Sequence, residues 1–490
     1  MFRPLHFANR VRLGIAALLC ICSSPAFTAV TFAPCELVGS SGYTRAAALC
    51  GSFRVPENPA DPEGPQIDLF VAKIESLSPS PQTDAFTIIN GGPGGSSISL
   101  YVDLAAALNG LLPERDIIIV DQRGTGRSQP LTCPNLEDVS ETYNEAAVAE
   151  ATRQCLASLP GDPKYYSTSQ AVHDLEALRE ALGYQKLNIY GVSYGTRVAL
   201  HYLRQHPNRV RSMIIDGVVP PDLALGVNVA QNAQTALNAT FARCAATPRC
   251  AATFTALEES LAGLRLELGD QTIPVQLPHP LTGAPTTLEF SYQHLAISLR
   301  LLSYAPETAA LIPLIIDQSA RGNYIPAASM ALKFLDQLAG SLSYGMHNAV
   351  VCTEDLPFID EPAIDWQHLE TTYLGADQVR ALITICNNWP RAAMDKDFKQ
   401  PVESDTPVLI LSGENDPVTP PAYGARVAQR LSNSIHIQGR GQGHGIISRG
   451  CIPRLVAEFT STPDPSLLDT SCTARLTHYP FFLSLLGPAP

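Results

Sequence analysis

The run Asn188-Ile189-Tyr190-Gly191-Val192-Ser193-Tyr194-Gly195-Thr196 joins an apolar strand to a helix with almost no loop between them. Leu187, Ile189 and their neighbours read as a buried strand, whereas Thr196-Arg197-Val198-Ala199-Leu200-His201-Tyr202-Leu203 repeats apolar residues at helical spacing. A serine in so tight a reversal takes a strained backbone conformation, and Gly191 and Gly195 let strand and helix pass closely. That geometry lifts the Ser193 hydroxyl above a sheet. A bare Gly-x-Ser-x-Gly occurs by chance in many chains, so the flanking strand and helix patterns give this one its weight.

The same alternation runs along the chain. After a Pro- and Gly-punctuated stretch from Cys35 to Pro65 and an alternating segment Ile67–Ala72, the apolar run Ala85–Ile89 leads into Asn90-Gly91-Gly92-Pro93-Gly94-Gly95-Ser96. A helical pattern over Leu100–Ala106 precedes the strand Asp116–Asp121; a helix over Ser169–Leu182, the Ser193 unit and the strand Val210–Asp216 follow. Strands apolar throughout, alternating with helices, predict an α/β fold: a mostly parallel sheet covered by helices on both faces. The rhythm breaks at Pro220-Pro221. From 221 to 401 the pattern is mainly helical, with a small Cys244–Cys250 loop and a polar, Pro-rich excursion over Thr272–Phe290, which predicts an inserted helical cap. The core resumes with Pro407–Ser412, a helix from Ala422 to Leu431 and the strand Ser434–Ile437. The expected division is a leader over 1–29, core over 30–220, cap over 221–401 and core again over 402–490.

Arg3, Arg10 and Arg12, then Leu13–Cys22, then small residues to Ala26 and Ala29 are the pattern of a secretory signal peptide, cleaved after one of those alanines. No later stretch is long and apolar enough to span a membrane. Cys20 and Cys22 fall in the leader, and the other ten of the twelve cysteines are an even number, which in an exported chain predicts disulfides. Sequential pairing is the simplest scheme: Cys35–Cys50, Cys133–Cys155, Cys244–Cys250, Cys352–Cys386 and Cys451–Cys472. Periplasm and extracellular space both fit, and Asn238-Ala239-Thr240 is a glycosylation sequon. The net charge of −13 argues against nucleic acid or an anionic membrane as partner. No Cys-x-x-Cys or His-x-x-x-His pair suggests a metal site, and no organic cofactor is implied.

A serine hydroxyl is a poor nucleophile at neutral pH and needs a base within hydrogen-bond reach and an acid to orient that base. Leu411 is followed by Gly413-Glu414-Asn415-Asp416-Pro417, and Ile437 by Gly439-Arg440-Gly441-Gln442-Gly443-His444-Gly445. The order Ser193, Asp416, His444 is that of the α/β-hydrolase fold. Among 11 histidines only His444 lies in a Gly-flanked turn after a late strand; Glu414 and Asp216 are rival acids. The tetrahedral intermediate needs backbone N–H donors, expected from Tyr194 and from Gly92 in the Gly-rich loop. That loop lacks the Lys-Ser/Thr of a nucleotide-binding loop. A third loop, Asp121-Gln122-Arg123-Gly124-Thr125-Gly126-Arg127-Ser128, reads as architectural, with Arg123 and Arg127 bracing its neighbours.

Gly-Gly-Pro-Gly-Gly, Asp-Gln-Arg-Gly-x-Gly-x-Ser, Gly-x-Ser-Tyr-Gly and the late Gly-His-Gly together resemble the proline-iminopeptidase and tripeptidyl-aminopeptidase family of α/β-hydrolase serine peptidases. Asp416-Pro417-Val418-Thr419-Pro420, Cys386-Asn387-Asn388-Trp389-Pro390 and the closing Cys451 and Cys472 resemble its exported tripeptidyl-aminopeptidase-like branch. The likeness is weakest over 221–345, and Asn90 stands where a His often precedes the Gly-Gly-Pro run. The resemblance implies hydrolysis near the free N-terminus of short peptides, with cap acids receiving the substrate ammonium. Glu354 and Asp355, steadied by a disulfide through Cys352, are the candidates, with Trp389 in the same pocket. An esterase or amidase is the alternative enzyme, since the triad itself does not tell an amide from an ester; a non-catalytic binder on the same scaffold is the alternative of another class.

Overall fold

The computed structural model describes Met1 and residues 30–137, 143–269, 271–338 and 340–488. The expected leader, with Cys20 and Cys22, lies outside the described residues apart from Met1.

Eleven strands position the site: β1 (Ala33–Val38), β2 (Arg45–Pro56), β3 (Gln66–Ile74), β4 (Ala85–Ile89), β5 (Ile117–Val120), β6 (Leu187–Val192), β7 (Val210–Asp216), β8 (Ile273–Pro278), β9 (Pro285–Phe290), β10 (Val408–Gly413) and β11 (Ser434–Gly439). Nine of them form one sheet in the order β1-β2-β3-β5-β4-β6-β7-β10-β11. The first three pair antiparallel down to β5, and the rest run parallel. The parallel strands are mainly apolar because both faces are covered. On β6, Leu187 and Ile189 join one buried cluster while Tyr190 and Val192 join the opposite one; on β10, Val408 and Ile410 part from Leu409 and Leu411 in the same way. Each such aliphatic side chain contributes about 1.5–3 kcal/mol relative to exposure, and the buried polar Asn188 is admitted with partners in Asp84, the Ala85 carbonyl and Ser212.

Between β7 and β10 the chain is mainly helical. Helices Val229–Ala246, Leu257–Leu268, Tyr292–Leu302 and Ile312–Ala320 surround a separate apolar cluster that includes Leu237, Leu264, Leu299 and Ile315. The polar, Pro-rich excursion is the antiparallel hairpin β8–β9, with Val275 and Leu277 turned inward and their neighbours outward. Helical region and sheet interlock. Helix Tyr344–Glu354 sends Met346, Ala349 and Val350 into a core cluster of the sheet, and Phe481, close to the chain's end, packs in the helical cluster. All five disulfides join the cysteines in the sequential scheme. Among the described residues no helix is long and apolar enough to cross a membrane.

Candidate active site

β6 ends at Val192 and the next helix starts at Tyr194, so Ser193 alone makes the reversal, at φ 55° and ψ −127°. This region costs a non-glycine residue on the order of 1–3 kcal/mol and persists only where the surroundings over-determine it. Here the Ser193 N–H donates to the Asp216 carbonyl (2.9 Å), and its own carbonyl accepts from the Thr196 N–H (2.9 Å) and the Thr196 hydroxyl (2.6 Å). The helix can pass this close only because Gly195 has no side chain: a Cβ there would lie 2.3 Å from the Ile89 carbonyl oxygen.

Asp416 follows β10 and is 3 % exposed. Its Oδ1 accepts from the N–H groups of Val418 and Thr419 (2.8 Å each); Oδ2 accepts the Thr419 hydroxyl (2.7 Å) and lies 2.7 Å from Nδ1 of His444. The Thr419 hydroxyl oxygen is also 3.1 Å from Nδ1. His444 is seated by its N–H on the Tyr304 carbonyl (2.9 Å), and the Tyr304 ring meets the imidazole edge-on at 5.2 Å. With Nδ1 turned to the acid, Nε2 is the nitrogen open to a nucleophile. Burial disfavours the imidazolium, but the adjacent Asp416 carboxylate outweighs it and holds His444 above its ordinary value.

Serine and imidazole share one rim of the sheet. Asp216, whose carbonyl holds the Ser193 N–H, is followed by Gly217, where a Cβ would lie 2.9 Å from His444 Cε1; a Cβ on Gly445 would lie 3.7 Å from Val192 Cγ2. Among the described residues no hydrogen bond joins Ser193 Oγ to His444. Catalytic contacts of this kind commonly tighten when substrate binds. The rival acids have other partners. Glu414 accepts from the Gly441 N–H (2.7 Å) and faces His478. Asp216 Oδ2 accepts from the N–H groups of Ile446 and Ile447 (2.7 and 2.9 Å), which anchors the segment just after His444; burial pushes its carboxyl up to about 6.

Gly92 adopts φ +112° in the loop after β4. Asn90 staples this loop: its amide oxygen accepts the Gly91 N–H (2.7 Å) and its amide nitrogen donates to the Ser96 carbonyl (2.9 Å). Asp121 ties the loop to its neighbour, accepting the Ser96 hydroxyl (2.7 Å), the Ile98 N–H (3.1 Å) and the Arg127 N–H (3.0 Å). The bracing arginine is fully buried: Arg123 grips Asp174 with two bonds of 2.7 Å and donates to the carbonyls of Glu57 and Tyr165. Arg127 lies over the Phe70 ring. Helix Tyr344–Glu354 roofs the Gly-rich loop, where the Ser343 N–H donates to the Gly94 carbonyl (3.0 Å) and His347 Nδ1 lies 3.3 Å from the Pro93 carbonyl oxygen.

Glu354, Asp355 and Trp389 require a correction. Both carboxylates are buried and already partnered within the chain. Asp355 takes both terminal nitrogens of Arg197 (3.0 and 2.9 Å), the Lys399 ammonium (3.2 Å) and the Leu225 N–H (2.9 Å). Glu354 accepts the Thr168 N–H (2.7 Å) and hydroxyl (2.8 Å), with Arg197 at 3.8 Å. A carboxylate removed from water needs such partners, and once saturated it has none to spare for a substrate ammonium. The cluster lies on the helix that follows Ser193: Arg197 is on that helix, and the Tyr194 hydroxyl is 2.7 Å from that of Thr168. These acids therefore lock helix Tyr344–Glu354 to the helix that begins after Ser193. Burial pushes the Glu354 carboxyl up to about 7. Trp389, 4 % exposed, packs in the cluster containing the Cys352–Cys386 pair. Thr419, Asn90 and Arg197 were not singled out as site residues from the sequence; the hydroxyl three residues after Asp416 was the available signal for the first.

Comparison with known proteins divides along the same lines. Residues 84–251, which hold the Gly-rich loop and Ser193, match the family model described as alpha/beta hydrolase fold, and residues 371–472, which hold Asp416 and His444, match that described as TAP-like protein. The chain is 26% identical over 463 residues to tripeptidyl aminopeptidase of Streptomyces lividans, covering 88% of this chain and 84% of that one. It is 28% identical over 210 residues to serine protease Hip1 of Mycobacterium tuberculosis (strain ATCC 25618 / H37Rv), 39% of this chain and 40% of that one. It is 31% identical over 102 residues to proline iminopeptidase of Neisseria meningitidis serogroup B, 21% of this chain and 24% of that one. With the nine-stranded sheet and the strand–serine–helix turn, these likenesses make the chain an α/β-hydrolase peptidase, similar to the tripeptidyl aminopeptidases.

Proposed function

We propose that the chain is an exported serine aminopeptidase that cleaves short peptides near their free N-terminus through an acyl-enzyme on Ser193. His444 Nε2 takes the proton from Ser193 Oγ as that oxygen bonds to the substrate carbonyl carbon; the backbone N–H groups of Gly92 and Tyr194 receive the oxyanion. The intermediate collapses as His444 passes its proton to the leaving amine. Water, deprotonated by the same imidazole, then releases the acyl group. Asp416 orients the ring and offsets its charge, and Thr419 holds Asp416 in register. The carrying observation is the Asp416–Thr419–His444 assembly at the rim where Ser193 is held in its strained turn. The five disulfides and the predicted leader support export. The helical region over 221–401 is assigned as the cap that restricts access to short or unstructured peptides.

Rates on tripeptidyl and aminoacyl nitroanilides with free and with acetylated N-termini, beside short acyl esters, test this reading. It predicts turnover of the free-amine peptides and loss of turnover on acetylation; ester hydrolysis without peptide cleavage would make the protein an esterase.

A further inference from the structure

Helix Tyr292–Leu302 ends against the catalytic histidine, since the carbonyl of Tyr304, just past it, carries the His444 N–H and the Tyr304 ring flanks the imidazole. Arg300 lies in the last turn of that helix. Among the described residues its guanidinium has no carboxylate partner and no side-chain hydrogen bond, and its Nε is fully buried and unpaired. That contrasts with Arg197, Arg123, Arg115 and Arg179, buried arginines that each grip a carboxylate; Arg300 itself is half-buried. A second unsatisfied group stands in the same region. Tyr373 is 4 % exposed, its backbone N–H is held by Gln234 (2.8 Å), and its buried hydroxyl has no partner. Tyr373 packs in the same apolar cluster as Leu299 and Leu302, on either side of Arg300, and the charge of Arg300 opposes protonation of His444 and eases ionisation of Tyr373. A guanidinium whose Nε is shut away from water unpaired, and a buried hydroxyl without a partner, each cost free energy that an incoming anion would recover.

We infer that Arg300, with the Tyr373 hydroxyl, forms a leaving-side subsite that takes the terminal carboxylate of a short peptide product. The side follows from the chemistry. His444 hands its proton to the leaving amine, so the leaving group passes the imidazole, and Tyr304 and the Arg300 helix border that ring. Successive Cα atoms are about 3.8 Å apart, so a cation beside the histidine matches a free carboxylate one or two residues beyond the scissile bond. A planar guanidinium fork suits a carboxylate in particular. The subsite deepens the aminopeptidase reading and rests on it: the enzyme would recognise both the free amine at one end of the substrate and the free acid at the other.

The test compares kcat/KM for tetra-alanine and penta-alanine with free C-termini against their C-terminal amides, using the whole mature protein. A charge-assisted bond of this kind predicts that the wild type prefers the acids on the order of ten- to a hundredfold. In Arg300→Gln the acid-to-amide ratio falls toward one; Arg300→Lys, which keeps the charge and loses the fork, keeps part of it, and Tyr373→Phe lowers it severalfold. Thermal unfolding of each variant reports folding, and Lys and Phe variants carry the test if the Gln variant does not fold. Acid and amide cleaved alike by the wild type, or an undiminished ratio in the variants, overturns the subsite and leaves the peptidase reading intact. Cleavage of neither peptide by a protein that still reacts with a fluorophosphonate overturns both.

Discussion

The sheet rim and the helical region over it use opposite kinds of polar group. On the rim, short contacts between sequence neighbours hold the chemistry: Asp416 with Val418 and Thr419, Asn90 with Gly91 and Ser96, Ser193 with Thr196. Beneath the roof, buried charges far apart in sequence grip one another, with Arg197 on Asp355 and Lys399 closing the group. In the proposed mechanism the first arrangement places the reacting atoms; the second fixes the helical region on the helix that follows Ser193. The difference teaches which residues affect rate and which affect stability, and it is open to attack from both sides.

The largest effect falls on the rim. Ser193→Ala is expected to lower kcat by roughly 10⁴-fold or more, leaving only what binding and the oxyanion donors supply, with the melting profile unchanged. Under the roof the pattern inverts. Asp355→Ala strands Arg197 and Lys399 without their carboxylate and should destabilise the fold by about 3–5 kcal/mol, read by denaturant unfolding. Loss of catalysis in Asp355→Ala at unchanged stability would erase the distinction. Replacing Cys352 and Cys386 together by Ala is expected to cost about 2–4 kcal/mol by freeing helix Tyr344–Glu354 from helix Asp377–Asn387 in the unfolded-state comparison.

The smaller effects sharpen the comparison through pH. Because Asp416 holds His444 above its ordinary value, kcat/KM should rise with pH as the imidazole loses its proton, with a midpoint above about 6.5. Thr419→Val, which loosens Asp416, should lower the rate about tenfold, the worth of one hydrogen bond to a charged group, and move that midpoint down. Glu354 behaves differently. Its folded-state value of about 7 lies above the ordinary 4.5, so its contribution to stability is full below 4.5 and is lost as pH rises through 7. Glu354→Gln should flatten the fall in unfolding free energy across that window, measured at several pH values; an unchanged slope would place the titration elsewhere.

This division also accounts for what the amino-acid sequence disclosed. The Ser193 turn was legible because strand, serine and helix are adjacent residues, and β4, β6, β7 and β10 because burial on both faces leaves short, mainly apolar segments. That Asp416 and His444 lie side by side follows from their positions after late strands. Glu354 and Asp355 were misjudged because sequence shows a carboxylate but not its partner: Arg197 lies 158 positions from Asp355 and Thr168 lies 186 from Glu354. The hairpin β8–β9 was visible only as a polar, Pro-rich stretch, since one of its faces meets solvent and no apolar run marks it.

Acid quenching during turnover of a tripeptidyl nitroanilide, followed by peptide mass mapping, addresses the central claim most directly. The account predicts a single covalent species carrying the N-terminal acyl fragment on Ser193 and absent from Ser193→Ala. Turnover with the acyl group on another residue, or undiminished turnover in Ser193→Ala, would contradict it.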